Sequence, residues 1–158
     1  MLSTSVRAQQ INYAVHANII YRFTKYIDWP DEMKSGDFVI GIVGDTPLFE
    51  VLNSFIKNKM AGSQKIILKK FERSENTFDC HILFVAEDAS GSVKRIASLT
   101  AGDPVLLVSE SEGLLNRWSC INFAIVHEHI QLEINTNNIT RRRLNIANEL
   151  LSLGVVVP

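Results

Sequence analysis

The sequence predicts an α/β fold: a single domain with a mixed, mostly parallel sheet of five to six strands flanked by helices on both faces, with a long N-terminal helix and an antiparallel hairpin near the C-terminus. Two observations predict it. Short apolar runs such as 38–43, 82–86 and 105–108 are typical of strands covered on both faces. Segments with apolar residues at three- and four-residue steps, typical of helices, alternate with them.

The first element is a long amphipathic helix over residues 4–28. Its apolar side chains recur at helical spacing and form an unusually wide apolar face. Pro30 disfavours helical backbone at Trp29 and therefore ends the helix. We expect this helix to pack along the sheet, and the width of its apolar face to leave surface for a partner.

The remaining elements follow from the same two patterns. The other strands are apolar runs bounded by polar, Gly or Pro turns: 38–43, 64–71 near an edge, 80–86, 104–109, 121–126 and 130–134. The other helices show apolar residues at three- and four-residue steps: 47–58, 90–99 and 138–153. The last two strands flank a polar turn and form the hairpin.

Composition excludes several classes of protein. The chain has 158 residues, of which 46% are hydrophobic, and a formal net charge of -1. One domain over 1–158 is expected, and intrinsic disorder is excluded. The near-neutral charge lacks the basic excess that a nucleic-acid binder needs. No apolar stretch approaches the ~18 residues of a membrane span.

The N-terminal residues do not form a secretory signal, because they have no basic start followed by an unbroken apolar stretch. Either the protein is cytoplasmic or its signal has been removed. Composition leaves both alternatives open.

No arrangement of nucleophile, base and orienting group is found among the polar residues. The glycine turn at 41–44 lacks the spacing of a phosphate-binding loop, and His127 and His129 supply at most half of a metal site. Cys80 and His81 are neighbours on a strand, so their side chains point to opposite faces. We expect no catalytic residue, no cofactor and no metal, and a binding or regulatory domain rather than an enzyme.

A partner-binding surface is predicted at the end of the first helix. Tyr26 and Trp29 are its candidate contacts, because aromatic residues dominate interface hot spots. The alternative, that both side chains cover the sheet edge, stays open. Arg141 and Arg142 are further candidates: they lie near the start of the predicted helix 138–153, where cations are disfavoured, and this hints at an external anionic partner. A solvated helix face is the default interpretation of this run and stays open.

A second class of function is a small-molecule sensor. Open α/β sheets bind ligands in the crevice outside the carboxyl ends of the strands. Asp45, Glu87 and Ser109 follow or end three predicted strands. They are the candidate residues of such a crevice.

The chain contains five motifs in a specific order: FTKYIDWP at 23–30, IGIVGDTPLF at 40–49, CHILFV at 80–85, PVLLVS at 104–109, and INF at 121–123 followed by LEIN at 132–135. In order and spacing they resemble the YfiR-like family, and the resemblance extends from about residue 11 to residue 157. Each motif is weak alone, whereas the ordered set is fairly specific.

The resemblance implies a bacterial periplasmic regulator without catalytic activity, secreted with a cleaved signal. It implies that the protein binds the periplasmic sensor part of an inner-membrane diguanylate cyclase and holds the enzyme inactive. An outer-membrane lipoprotein would sequester it, release the cyclase, raise cyclic-di-GMP and favour biofilm. The family also tends to form homodimers.

The chain departs from the family at two places. Trp118-Ser119-Cys120 stands where the family usually has a Gly-Gly pair, so the preceding loop is less able to adopt positive backbone angles. The family can also carry disulfides. Cys80 and Cys120 would begin buried strands that are not neighbours, beyond the reach of a disulfide, which favours two reduced thiols.

Overall fold

The computed structural model describes residues 11–111 and 117–157. Its α-helices are α1 (Tyr13–Tyr26), α2 (Leu48–Phe55), α3 (Val93–Leu99), α4 (Thr136–Arg141) and α5 (Asn148–Leu151). Its strands are β1 (Ile27–Asp28), β2 (Phe38–Val43), β3 (Met60–Ala61), β4 (Gln64–Phe71), β5 (Ile82–Val85), β6 (Leu106–Glu110), β7 (Ile121–Val126), β8 (His129–Ile134), β9 (Asn145–Ile146) and β10 (Gly154–Val156). Two 3-10 turns span Asp31–Met33 and Glu87–Ser92.

The central sheet has eight strands in the order β10-β8-β7-β6-β5-β2-β4-β3. Strands β4, β2, β5, β6 and β7 run parallel, and β8 pairs antiparallel with β7. The predicted mixed, mostly parallel sheet and the C-terminal hairpin are confirmed. The sheet has more than the predicted five to six strands, because β3 and β10 add an edge on each side. These strands have two and three residues, too few to produce an apolar pattern.

Helices cover both faces because the connections that follow β2 and β5 lead to opposite edges of the sheet. The connection through α2 leads to β4 on one side of β2, and the connection through α3 leads to β6 on the other side of β5. Since such crossovers are right-handed, α2 and α3 lie on opposite faces. Helix α1 packs against α2, where the rings of Tyr21 and Phe55 meet edge-on with centroids 6.0 Å apart.

Helix α1 begins and ends where its backbone polar groups find partners. The Asn12 side chain accepts a hydrogen bond from the amide of Ala14 and caps the first turn. At Ile27 the backbone becomes extended and pairs with Ile146 in a separate two-stranded sheet. The helix therefore ends two residues before the predicted residue 28, while residues 4–10 lie outside the described residues.

The prediction of a single helix over 138–153 is wrong. The chain forms α4, β9 and α5 instead, because Arg143 adopts a left-handed φ of 61°. The amide of Leu144 bonds the carbonyl of Ile139 (3.3 Å), and the amide of Arg143 bonds that of Thr140 (3.1 Å). These are the two bonds of a Schellman helix end.

The arginine run therefore lies at the end of a helix and not near its start. Arg141 is in the last turn of α4, where a cation is favoured by the helix dipole. Arg142 is only 5% exposed. Its guanidinium donates to Thr100 through both the carbonyl (3.2 Å) and the hydroxyl (3.0 Å), and to the carbonyls of Val105 (3.2 Å) and Ala97 (3.3 Å). Arg142 thus ties α4 to the end of α3.

An aromatic cluster closes the amino ends of β2 and β5. Trp29 is buried and donates its Nε1–H to the carbonyl of His81 (3.2 Å), and its ring meets Phe38 edge-on. The His81 ring stacks on Phe38, with centroids 4.3 Å apart. Because the amide of Val39 donates to Nδ1, the ring proton is on Nε2, which donates to the carbonyl of Met33 at 2.6 Å. Burial lowers the pKa of His81, since it disfavours the cation.

The first prediction concerns acid sensitivity. With the pKa of His81 lowered in the folded state, the unfolded chain binds more protons below about pH 6.5, so stability falls as the pH is lowered through this region. His81→Gln removes this proton uptake. Urea unfolding at pH 7 and pH 5 should show a smaller loss of unfolding free energy in His81→Gln than in the wild type. The exposed His129→Gln is the control and should keep the wild-type loss; an equal loss in His81→Gln would contradict the prediction.

The second prediction concerns Arg142. Arg142→Met removes the guanidinium that donates to the carbonyls of Val105 and Ala97 and to both oxygens of Thr100, so we expect a loss of about 2–4 kcal/mol in unfolding free energy. The exposed neighbour Arg141→Met should cost less than about 1 kcal/mol. Urea unfolding of both variants measures the difference. Equal losses would show that Arg142 does not tie α4 to α3.

Candidate partner-binding surface

An apolar groove lies on the outer side of α1. It has a volume of about 460 Å³ and is lined by residues of α1, of β8 and of the segment around α5: Ala14, Val15, Asn18, Ile19, Arg22, Ile130, Leu132, Leu150 and Leu153. Val15 is 41% exposed and Leu153 is 51% exposed, although both are large apolar residues. Adjacent exposed apolar residues of this kind mark interaction sites more often than isolated ones do.

The helical repeat of α1 explains why the helix exposes apolar side chains. The stripe His16, Ile20 and Phe23 is buried against the sheet. Val15 and Ile19 lie on the neighbouring stripe of the helix, four residues apart, and line the groove. The wide apolar face predicted from the sequence is therefore divided: one half packs on the sheet, and the other half forms one wall of the groove.

The C-terminal segment forms the opposite side and continues the apolar surface to the sheet edge. Gly154 lies so close to β8 that a Cβ there would stand 2.6 Å from the carbonyl oxygen of Leu132. Glycine at this position lets β10 pair with β8. Val155 and Val156 remain largely exposed. Among the described strands β10 pairs with β8 alone, so its outer edge is open.

The groove has a polar rim. Arg22 donates from Nε to the Asn18 side chain at 3.1 Å. The lining residues include no carboxylate, so neither wall carries a negative charge. An apolar centre with a polar rim is the usual composition of a protein–protein interface.

A buried polar pair holds the N-terminal half of α1 in place. His16 Nε2 and Glu110 Oε2, from the end of β6, lie 2.7 Å apart, and both side chains are buried. The Tyr13 ring lies 5.0 Å from that of His16. Burial, and secondarily the Glu110 carboxylate, raise the pKa of Tyr13, while a hydrogen bond from Thr46 opposes them. Removing one partner of such a pair is strongly destabilising, so this contact fixes the helix that carries the groove.

The predicted partner contacts lie elsewhere. None of Tyr26, Trp29, Arg141 and Arg142 lines the groove. Trp29 and Arg142 are in the interior, Tyr26 is half-buried and Arg141 is exposed. Trp29 thus fits the alternative of covering the end of the sheet. A direct partner role for these residues stays a prediction, for which only Tyr26 and Arg141 offer surface.

The predicted crevice residues do not share one accessible site. Asp45 and Glu87 are exposed at the carboxyl ends of β2 and β5. Ser109 is fully buried, and its hydroxyl lies 2.7 Å from Asn122 Oδ1, to which it donates. The structure instead brings Asp88 to the turn after β2, where both of its carboxylate oxygens accept from the amide of Asp45 (3.1 Å each).

Gly44 makes this turn possible. Its φ of 98° is strained for other residues, and a Cβ there would collide with the Asp88 carboxylate. The amide at the carboxyl end of β2, which could bind an anionic ligand, is therefore occupied by a carboxylate of the chain itself. The sequence did not predict Asp88, because its contact with Asp45 joins two turns that lie 43 residues apart in the chain.

Three other observations bear on function. Cys80 and Cys120 are free, buried thiols, and burial raises the pKa of both, so neither is a ready nucleophile. Within the described residues, no group of three or more His, Cys, Asp or Glu side chains could hold a metal ion. None of the helices over the same residues has the length and apolar character needed to cross a membrane.

Comparison with known proteins identifies the family. No curated protein matches the chain. The sequence model of the YfiR/HmsC-like family, however, matches residues 13–155, from the first residue of α1 into β10. The match includes both walls of the groove and all of the central sheet except Val156, the last residue of β10. The chain therefore belongs to the YfiR/HmsC-like family.

Proposed function

We propose that this protein is a non-catalytic periplasmic regulator that represses an inner-membrane diguanylate cyclase by binding the periplasmic sensor region of that enzyme. Membership of the YfiR/HmsC-like family supports a regulatory role. The single structural observation that supports binding as the mechanism is the groove along α1, whose lining includes the exposed apolar side chains of Val15 and Leu153.

The groove suits an apolar helix face of the cyclase. It is bounded by a helix on one side and by β8 and the C-terminal segment on the other, which leaves an open channel between two rigid walls. Amphipathic helices bind such channels through apolar residues three and four positions apart. The positive rim at Arg22 would favour acidic residues beside the apolar stripe of that helix.

Repression then requires that this protein bind the active and the inactive state of the cyclase with different affinities. A bound regulator can hold an enzyme inactive only if it binds the inactive state more tightly, and each tenfold preference shifts the equilibrium by about 1.4 kcal/mol. An outer-membrane lipoprotein that competes for this protein would release the cyclase and raise cyclic-di-GMP. The open edge of β10 is the surface we propose for a homodimer.

The third prediction tests the groove directly. Val15→Glu and Leu153→Glu each place a charge on an apolar wall, where binding would desolvate it, so the dissociation constant for the cyclase's periplasmic domain should rise about tenfold or more. Leu99→Glu on α3 is the matched control, because Leu99 is 40% exposed outside the groove. Titration calorimetry measures binding, and circular dichroism verifies folding. Unchanged binding by folded Val15→Glu would refute the assignment of the groove.

The fourth prediction tests the regulatory role in cells. Deletion of the gene should raise cyclic-di-GMP, because the cyclase loses its repressor. Expression of the wild type or of Leu99→Glu should restore the low level, whereas Val15→Glu should not. Cyclic-di-GMP is measured in cell extracts at equal expression of each protein. A deletion strain with unchanged cyclic-di-GMP would argue against repression of a cyclase.

A further inference from the structure

A second concavity lies between α3 and α4, away from the groove. This basic cleft has a volume of about 310 Å³, near the lower end of the range for small-molecule sites. The residues that give it its character are Lys94, Arg117, Trp118, Asn138, Arg141 and Arg142. None of these residues lines the groove along α1.

The positive charge of the basic cleft has no compensating carboxylate among the residues that the structure describes. Lys94, Arg117 and Arg141 are exposed, and within residues 11–111 and 117–157 none of them forms an ion pair with a carboxylate. The lining residues include no Asp or Glu. This is unusual for a chain whose overall charge is -1, and it produces a local positive potential that attracts anions.

The floor of the basic cleft adds a buried charge. Arg142 is 5% exposed, and the four hydrogen bonds of its guanidinium go to carbonyl and hydroxyl oxygens, all of them neutral. A buried cation is ordinarily paired with an anion, because burial removes its solvation. These hydrogen bonds engage Nη1 and Nη2 of Arg142 but leave its charge without an anionic partner among the described residues. An anion in the cleft would supply that partner.

The walls are held in position by the fold. Asn138 donates from Nδ2 to the carbonyls of Arg117 (3.1 Å) and Ser119 (2.9 Å), so the segment that carries Arg117 is fastened to α4. On the other wall, Lys94 Nζ lies 5.1 Å from the centre of the Trp118 ring, a cation–π contact that restrains the ammonium at the mouth of the cleft. The cations are therefore arranged before a ligand arrives.

We propose that the basic cleft is a binding site for a small multivalent anion, such as a phosphorylated molecule or a compound with two or more carboxylates. Lys94, Arg117 and Arg141 bind the anionic groups. The buried charge of Arg142, at the floor of the cleft, adds to the electrostatic attraction. A small ligand is favoured over an acidic protein segment because the cleft has the size of a small-molecule site. This site is independent of the proposed repression of a cyclase.

The test measures binding of pyrophosphate and citrate by titration calorimetry at 50 mM NaCl, with acetate as the monovalent comparison. We expect saturable binding of at least one multivalent probe, weaker binding of acetate, and weakening at 300 mM NaCl, because salt screens the exposed cations. Arg141→Gln and Lys94→Gln should each raise the dissociation constant about tenfold, as expected for loss of one charged hydrogen bond. Lys25→Gln, an exposed lysine of α1, is the matched control and should leave binding unchanged.

Three results would overturn the proposal. The first is no saturable binding of either multivalent probe to the folded wild type. The second is an equal loss of affinity in Lys25→Gln and Arg141→Gln, which would indicate unspecific attraction to surface charge. The third is tighter binding of a hexaglutamate peptide than of both probes, which would assign the cleft to an acidic protein segment.

Discussion

The burial of the central parallel strands on both faces is the constraint from which the rest of the structure follows. Every residue of β5 and of β6 is buried. Strands of this kind are stable only if helices cover both faces of the sheet. Helices α1 and α2 therefore lie on one face and α3 on the other, and neither the groove nor the basic cleft could exist without this cover. The groove is formed by the part of the covering helix α1 that the sheet does not use.

Local patterns in the sequence were sufficient to predict the sheet and most of the helices. The apolar runs that became β2, β5 and β6 predicted buried strands, because they are short, apolar on both faces and bounded by turn residues. The wide face of the first helix also predicted one wall of the groove. Its other wall depends on how the C-terminal segment returns to β8, a contact between distant parts of the chain.

The features that sequence reasoning missed depend on single backbone angles or on long-range contacts. Nothing in the periodicity of 138–153 indicates that Arg143 would adopt a left-handed angle and end α4. His16 and Glu110 are 94 residues apart, so their pairing could not be deduced from spacing. Trp29 was assigned to a surface because of its residue type, and Arg142 because of its position in a predicted helix, whereas the fold uses both as interior donors. Residue type alone does not distinguish a binding residue from a buried one that finds a partner.

The open edge of β10 has a consequence for the amount of protein that a cell can tolerate. Among the described strands none pairs with the outer edge of β10, so the backbone there, beside the exposed Val155 and Val156, is a template for a further strand. Proteins usually protect such an edge with charge or proline, and Gly154–Val156 has neither. Chains in excess over whatever covers this edge would therefore tend to aggregate through it. We expect solubility to fall as the amount of protein with this edge uncovered rises.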